Sequence, residues 1–318
     1  LTSPTKPTLP FTTLALSLPV ILWHSASYSP TLHPARGFLF LLGLILGLRM
    51  FALRRLGSAA AYEDASPVGI AGMGNGGTGS VTCEFTVELQ KVLAYISASR
   101  SRGASVAVTH IAVAAVARAL SEHRIFNGRY VRMPLIGVEG YYPNATVDVS
   151  TAAGSMKNGG ANIVKVRAAD KMSVAEVAGA VRAAGDGAAP SSKPVLPWLL
   201  RRPMEIMSDQ LDLPVPGLGL EGRRFGGALV VTSPDSNDSE VSISADLHRP
   251  KPGMSTSGPS VILVVGGVRV RPSLAGKERG GKAVARPVLG VTMTVGCEVA
   301  NVASVRVLAE RVQRIMRE

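Results

Sequence analysis

Cysteine is scarce in this chain. Cys83 and Cys297 are the only two cysteines among 318 residues, so neither a disulfide framework nor a cysteine-rich metal site can be built within it. Aromatic residues make up only 5%, which predicts a core of aliphatic side chains, and no internal repeat appears at a useful period. At 46% hydrophobic residues, the chain still has enough apolar content for a substantial buried core.

Acidic residues are also few. The 34 Lys and Arg residues exceed the 22 Asp and Glu residues and give a formal net charge of +12. The basic residues are scattered through the chain and do not form a stripe with interleaved aromatic residues, which argues against a nucleic-acid partner. The charge instead favours a basic protein that lies beside anionic lipid or inside a larger assembly.

The N-terminal region contains two apolar stretches. The first, 14–23, is interrupted by Pro19, and the second, 37–53, is interrupted only by Arg49. As a helix the second stretch would span about 26 Å, close to the roughly 30 Å of a bilayer core. We therefore expect a membrane-anchoring segment over 1–57, with its strongest span at 37–53. The first stretch is expected to be a re-entrant or interfacial segment, or the first arm of a hairpin. A targeting peptide is the alternative, because it also begins with an apolar or arginine-rich segment.

Two features follow the apolar stretches. Arg54 and Arg55 predict that the rest of the chain lies on the positive side of the membrane. Residues 58–79 are rich in Ala, Gly and Ser and are expected to form a linker. Within them 72–77 matches the dinucleotide pattern GxGxxG, but no apolar strand precedes it and no helix opens after it, so the linker interpretation is preferred.

From Ser80 onward the pattern is that of an α/β domain. Alternating apolar residues predict a strand at its start, helical spacing follows, and β-branched runs bounded by Gly and Pro predict a sheet. The sequence Ser173-Val174-Ala175-Glu176 has the form of a helix capping box. The predicted strands are 81–86, 146–152, 162–168, 227–232, 241–245, 261–270 and 288–295, and the predicted helices are 89–96, 110–122, the segment after 173, 196–211 and 302–316.

His110 and His123 flank the alanine-rich helix. Lone histidines at helix ends are more often solvated or capping than metal ligands, and neither has a second ligand at metal spacing. We therefore predict no metal site.

Several segments, in their order along the chain, resemble the catalytic domain of 2-oxoacid dehydrogenase (dihydrolipoamide) acyltransferases, which shares its fold with chloramphenicol acetyltransferase. The resemblance implies an α/β domain at 80–318 with a two-layer mixed β-sheet and helices packed on one face, preceded here by the membrane helix or helical hairpin. The segments that carry it are the alanine-rich run 113–123 followed by Asn127, the Val-Asp strand 147–150, the stretch 166–173, and the late strands 227–233 and 264–268 with Arg271-Pro272.

The catalytic motif of that family, Asp-His-Arg-x-x-Asp-Gly, is replaced in this chain. Its histidine, a general base for the thiol of coenzyme A or lipoamide, corresponds to Cys297, its arginine to Glu298, its second aspartate to Asn301 and its glycine to Val302. The hydroxyl that stabilises the oxyanion corresponds to Thr232. We therefore expect no working catalytic residues.

Two alternatives remain for catalysis. Cys297 as a thiolate could accept an acyl group, but the neighbouring Glu298 would raise its pKa, and a structural thiol is preferred. The sequence 244–249, which includes His248, looks like the lost motif but lies about fifty residues too early and runs into Pro250 and Pro252. It is expected to be a surface loop.

Together these observations favour a non-catalytic accessory or structural subunit of a membrane complex, built on a degenerate acyltransferase domain. By analogy with the family, the expected place is the mitochondrial inner membrane, with the domain on the matrix side, or less favourably a plastid membrane. We expect membrane lipid and other subunits as partners and no cofactor. A homotrimer like that of the family is in doubt. The alternatives are a membrane-anchored acyltransferase and a protein that binds coenzyme A or an acyl ligand without turnover.

Overall fold

The structure, a computed structural model, describes most of the predicted domain and one N-terminal helix. The described residues are 36–55, 80–133, 138–153, 162–186, 225–232, 259–274, 283–296 and 302–318, together with Val20 and His24.

A six-stranded mixed sheet forms the centre of the domain. Its order is β1-β8-β7-β6-β4-β5, and the pairs β4–β6 and β6–β7 are parallel while the others are antiparallel. The strands β2 and β3 form a separate antiparallel pair. The strands are β1 Ser80–Glu88, β2 Gly128–Met133, β3 Val138–Pro143, β4 Val149–Ala153, β5 Asn162–Val166, β6 Ala228–Thr232, β7 Val261–Leu274 and β8 Ala283–Gly296.

The helices of the domain contribute to one core with the sheet. Along β7, Val261, Leu263 and Val265 alternate onto the core face and are each at most 1% exposed, as the two-residue side-chain period of a strand requires. The predicted α/β class with a mixed sheet is confirmed. The helices are α1 Arg36–Arg55, α2 Gln90–Ser101, α3 Val108–Glu122, α4 Val174–Asp186 and α5 Val302–Arg317, with short 3₁₀ turns at Arg124–Phe126 and Ala169–Lys171.

The alanine-rich helix α3 is the most deeply buried helix that the structure describes. It packs on β4 and β6 and also contacts α4 and α5. Small side chains allow this close approach on several sides, and Ala112, Ala117 and Ala119 are fully buried. At its C-terminal end Glu122 accepts two hydrogen bonds of 2.6 Å from the Arg311 guanidinium of α5, and these bonds lower the pKa of Glu122. Helix α3 therefore links α4 and α5 to the sheet.

Two differences from the sequence-based expectation concern the strands. The pair β2–β3 was not predicted, because its segments mix Gly, Arg, Glu and Tyr and lack an apolar run. Both β7 and β8 extend beyond the predicted limits: past a register shift between Val265 and Val268 they continue to pair with each other up to Leu274 and Ala283. These extensions contain Pro272 and Pro287, and because proline within a run argues against a strand, the sequence pattern did not predict them.

The predicted membrane span 37–53 falls within α1. Among the residues that the structure describes, no helix is long and apolar enough to cross a membrane, so the crossing at 37–53 is not confirmed. Other predictions lie outside the described residues: the first apolar stretch 14–23 apart from Val20, the linker 58–79, the helix 196–211, the strand 241–245 and the loop 244–249.

Candidate functional site

Thr232, the position that the resemblance assigned to oxyanion stabilisation, ends strand β6. The strand lies between β4 and β7 and is parallel to both. Its residues Ala228 to Val230 are buried, whereas Thr232 is exposed. The strand therefore carries this hydroxyl from the core to the surface at the carboxyl end of the parallel strands, which is where open α/β sheets place ligands.

A second threonine meets this position. The hydroxyl oxygens of Thr109 and Thr232 lie 2.7 Å apart, and Thr109 belongs to the first turn of α3. Two hydroxyls carry two hydrogens and their mutual bond uses one, so the other can be donated to a bound carbonyl oxygen. The pair Thr109–Thr232, here called the hydroxyl pair, is the candidate site. Thr109 was missed by the sequence analysis because a lone threonine near a helix start gives no signal.

His110 lies next to the hydroxyl pair and is the nearest candidate for a replacement base. Its Nδ1 accepts a hydrogen bond of 3.1 Å from the backbone N–H of Ala107, so in the neutral ring the hydrogen is on Nε2. Burial, and secondarily the positive charge of Arg182, lower the pKa of His110 below 6.5. The ring therefore caps the helix with its lone pair, and that lone pair is not available to remove a proton from a substrate. Of the two roles that the sequence left open for this histidine, solvated or capping, the structure shows capping.

His123 lies at the other end of the same helix, where it is the C-terminal cap residue. Fourteen positions along α3 separate it from Thr109, which is about 20 Å at 1.5 Å per residue. In the described part of the domain, neither histidine is placed to act as a general base on a ligand at the hydroxyl pair.

The start of β6 is fixed by close contacts with the start of β4. The N–H of Gly227 donates to the carbonyl oxygen of Asp148 at 2.7 Å, and the N–H of Gly226 donates to the buried hydroxyl of Ser150 at 2.9 Å. The Asp148 carboxylate in turn accepts a 3.0 Å bond from the N–H of Ala168. Asp148 in the Val-Asp segment thus ties three chain segments together, which is a structural role.

Asn127 has a similar role on the other side of Gly227. Its side-chain amide donates to the carbonyl oxygen of Thr146 at 3.1 Å, and its own Oδ1 accepts a 3.2 Å bond from Asn144. Because Asn127 is 5% exposed, these partners satisfy a polar group that would be costly to bury alone. The asparagine that supported the resemblance therefore supports the turn after α3.

Thr232 and the end of β8 lie at different levels along the sheet. Thr232 pairs with Val265 of β7, and Val265 pairs with Val291 of β8. Gly296, which ends β8, is five positions further along, roughly 17 Å away at 3.4 Å per residue. Cys297 and Asn301 follow Gly296 in the sequence and lie outside the described residues.

The described residues show no group of three or more His, Cys, Asp or Glu side chains that could hold a metal ion. The hydroxyl pair itself offers only neutral oxygens, which are poor ligands for transition metals. Its chemistry is therefore hydrogen bonding to a polar ligand atom.

Comparison with known proteins gives structural neighbours only. No protein-family model matches the chain, and no curated protein matches it. A structure of the dihydrolipoamide acetyltransferase of Azotobacter vinelandii, studied for the roles of a serine, a histidine and an asparagine in catalysis, is similar with a TM-score of 0.52 and 14% identity over 76% of this chain and 82% of that chain. The cubic core of the pyruvate dehydrogenase multienzyme complex is similar with a TM-score of 0.52 and 13% identity over 82% of this chain and 86% of that chain.

These similarities establish the fold. The domain has the α/β fold of the dihydrolipoamide acyltransferase catalytic cores, as the resemblance in the sequence implied. At 13% and 14% identity the likeness is one of architecture, and the activity has to be argued from the site itself.

Proposed function

We propose that the chain is a non-catalytic protein built on the acyltransferase fold and that it serves as an accessory or structural subunit of a membrane complex. The observation that carries the proposal is the loss of the general base: the position of the family's histidine is Cys297, and its neighbours are Glu298, Asn301 and Val302. A thiol with an ordinary pKa near 8.5 is a poor base for another thiol.

The two histidines in the described part of the domain support this proposal. His110 uses its lone pair to cap α3, and His123 is at the far end of that helix. General bases typically contribute a factor of about 10² to 10⁴ to the rate, so a site without one would transfer acyl groups very slowly. Asp148 and Asn127, two residues that carry the resemblance, make contacts that the fold needs.

The membrane part of the proposal is supported by α1. This helix contains no acidic residue, has arginines near both ends, and exposes large apolar side chains, among them Phe38, Leu41 and Leu53. Such a helix suits contact with lipid or with apolar surfaces of other subunits. By analogy with the acyltransferase family, the proposed place is the mitochondrial inner membrane with the domain on the matrix side.

The test is the state of the chain in native membranes. One sample of membranes is solubilised gently and separated by native electrophoresis, and a second sample is washed at alkaline pH. The chain is followed by immunodetection in both. The proposal expects the chain to resist washing and to migrate with other subunits in one large complex. Recovery of the chain as a free homo-oligomer, without other subunits, would contradict the accessory role.

A second candidate function is binding of coenzyme A or an acyl ligand, with or without acyl transfer through Cys297. The hydroxyl pair favours it, because an exposed Thr232 already oriented by Thr109 suits a carbonyl acceptor. Calorimetric titration with coenzyme A and pH-dependent thiol labelling test this candidate. Saturable binding that is lost in Thr232→Val would support it, and fast labelling in Cys83→Ser but not in Cys297→Ser would identify Cys297 as a reactive thiol.

A further inference from the structure

The first turn of α3 is closed by a histidine side chain, whereas helices in general favour a polar N-cap residue. The N-cap is Ala107, which has an extended backbone and no side-chain acceptor. Instead, His110, three positions later, reaches back and accepts the Ala107 N–H at 3.1 Å. The backbone of the same turn is completed by the N–H of His110, which donates to the Ala107 carbonyl oxygen at 3.0 Å. The side chain at the third helical position therefore does the work that Glu or Gln does in a capping box.

This cap exists only while the imidazole is neutral. A protonated imidazole carries N–H groups on both nitrogens and has no acceptor to offer, so the bond from Ala107 is lost on protonation. The cation would also lie at the positive end of the helix dipole. Glu or Gln at the same position would not lose its acceptor in this way, since a protonated Glu keeps a carbonyl oxygen and Gln does not titrate.

The hydroxyl pair is attached to this same turn. Thr109 lies between the N-cap and His110, and its hydroxyl reaches Thr232 at 2.7 Å. The loop that precedes the turn is held by buried Val106, which is 4% exposed, and by a 3.4 Å hydrogen bond from Arg182 to the carbonyl oxygen of Ser105. A change in the cap therefore acts on a residue of the candidate site.

We propose that His110 is a proton-operated positioning residue: in its neutral form it closes the first turn of α3 and holds Thr109 against Thr232, and on protonation it releases both. The proposal concerns the order of the hydroxyl pair and holds whether or not the chain transfers acyl groups.

The charged residues on the elements packed against α3 are consistent with this role of His110. Strands β4 and β6 contribute no charged residue. Arg182 of α4 acts on His110, whereas Asp170 and Lys171 of the short 3₁₀ turn are not among the causes of its shift. On α5, Arg311 is paired with Glu122 at the opposite end of α3.

The pH range follows from the direction of the shift. Burial and then Arg182 lower the pKa of His110 in the folded protein below 6.5. Between that lowered pKa and 6.5 the unfolded chain binds more protons than the folded chain, so the stabilising contribution is complete above 6.5 and declines as the pH falls. The turn is therefore expected to be closed at neutral pH and to open in mild acid.

Hydrogen exchange of the full chain tests the proposal. Protection of the amides in 104–112, corrected for the effect of pH on intrinsic exchange, is followed from neutral to acid pH in the wild type, in His110→Gln and in His123→Gln. Gln keeps an acceptor for the Ala107 N–H without titrating, and His123→Gln removes a histidine from the other end of α3 as the matched control.

We expect the wild type and His123→Gln to lose protection in this segment by about fivefold as the pH falls, the ratio that corresponds to a typical helix cap. His110→Gln should stay protected across the range. In the wild type the methyl NMR signals of Thr109 and Thr232 should shift with the same midpoint as the His110 ring signals. Equal pH profiles of amide protection in the wild type and His110→Gln would overturn the proposal. Methyl signals of Thr109 and Thr232 that do not shift with the His110 midpoint would also overturn it.

Discussion

The entry into β6 is the position where a single methyl group should do most damage to the candidate site. A Cβ atom on Gly226 would lie 2.5 Å from the carbonyl carbon of Asp148 and 2.9 Å from the amide nitrogen of Val149, and closer still to the Asp148 carbonyl oxygen. All three are backbone atoms. They cannot move freely, because the Asp148 carbonyl accepts the Gly227 N–H and the Asp148 carboxylate accepts the Ala168 N–H. Gly226→Ala must therefore displace the start of β6 or of β4.

The cost can be worked from these contacts. Overpacking of one methyl group in a tight site costs about 1–3 kcal/mol. Displacing the strand also strains the bonds from Gly226 to Ser150 and from Gly227 to Asp148, each worth about 1 kcal/mol. We expect a total loss of about 3 kcal/mol, which lowers the melting temperature of a domain of this size by about 6–12 °C.

Thermal and urea unfolding followed by circular dichroism measure this effect. Gly179→Ala is the matched control, because Gly179 lies within α4 and a Cβ there would meet nothing within 4 Å. It should stabilise the protein by about 0.5–1 kcal/mol through helix propensity. Should Gly226→Ala unfold within about 0.5 kcal/mol of the wild type, within the range of neutral surface changes, the reasoning about the β4–β6 junction would be refuted.

Two further predictions concern the core and the capping box. Leu263 is 0% exposed, so Leu263→Ala should destabilise the domain by about 3 kcal/mol through lost burial and a cavity. Leu93 is 41% exposed, and Leu93→Ala should change the free energy of unfolding by less than about 0.5 kcal/mol. Equal effects of the two variants in urea titrations would contradict the assigned core. The hydrogen bonds with Ser173 lower the pKa of Glu176 below 4.5, so the contribution of the Glu176 carboxylate to stability is present above pH 4.5 and is lost as the pH falls. Glu176→Ala should therefore unfold more readily than the wild type at neutral pH, and this difference should vanish in strong acid.

Much of the fold follows from local patterns in the sequence. The alternation of Val81, Cys83 and Phe85 predicts β1, and the alanine-rich run predicts α3 within two residues of its observed start. The predicted capping box is confirmed by two bonds, from the N–H of Ser173 to Glu176 and from the N–H of Glu176 to Ser173. These elements could be predicted because their stability depends on residues close together in the sequence.

Elements stabilised by distant partners were harder to predict. The strands β2 and β3 have no apolar period, and the ends of β7 and β8 contain Pro272 and Pro287, so only their mutual pairing marks them as strands.

The candidate site likewise could be predicted only where it depends on local sequence. Thr232 could be found through the resemblance, but its partner Thr109 lies 123 positions away in the sequence, and only the packing of α3 on β6 brings the two hydroxyls together. The separation of Gly296 from Thr232 along the sheet likewise depends on the register of three strands, which composition and spacing do not encode. For His110 the sequence left a solvated and a capping role open, and only the folded turn shows that its Nδ1 accepts the Ala107 N–H.

The central claim is that this acyltransferase fold has lost acyl transfer. The most direct measurement is the rate of acetyl transfer from acetyl-coenzyme A to dihydrolipoamide by the purified chain, with Thr232→Val and Cys297→Ser measured beside it. We predict that all three proteins give the same rate as a reaction without protein. Saturable turnover by the wild type that falls in either variant would contradict the claim.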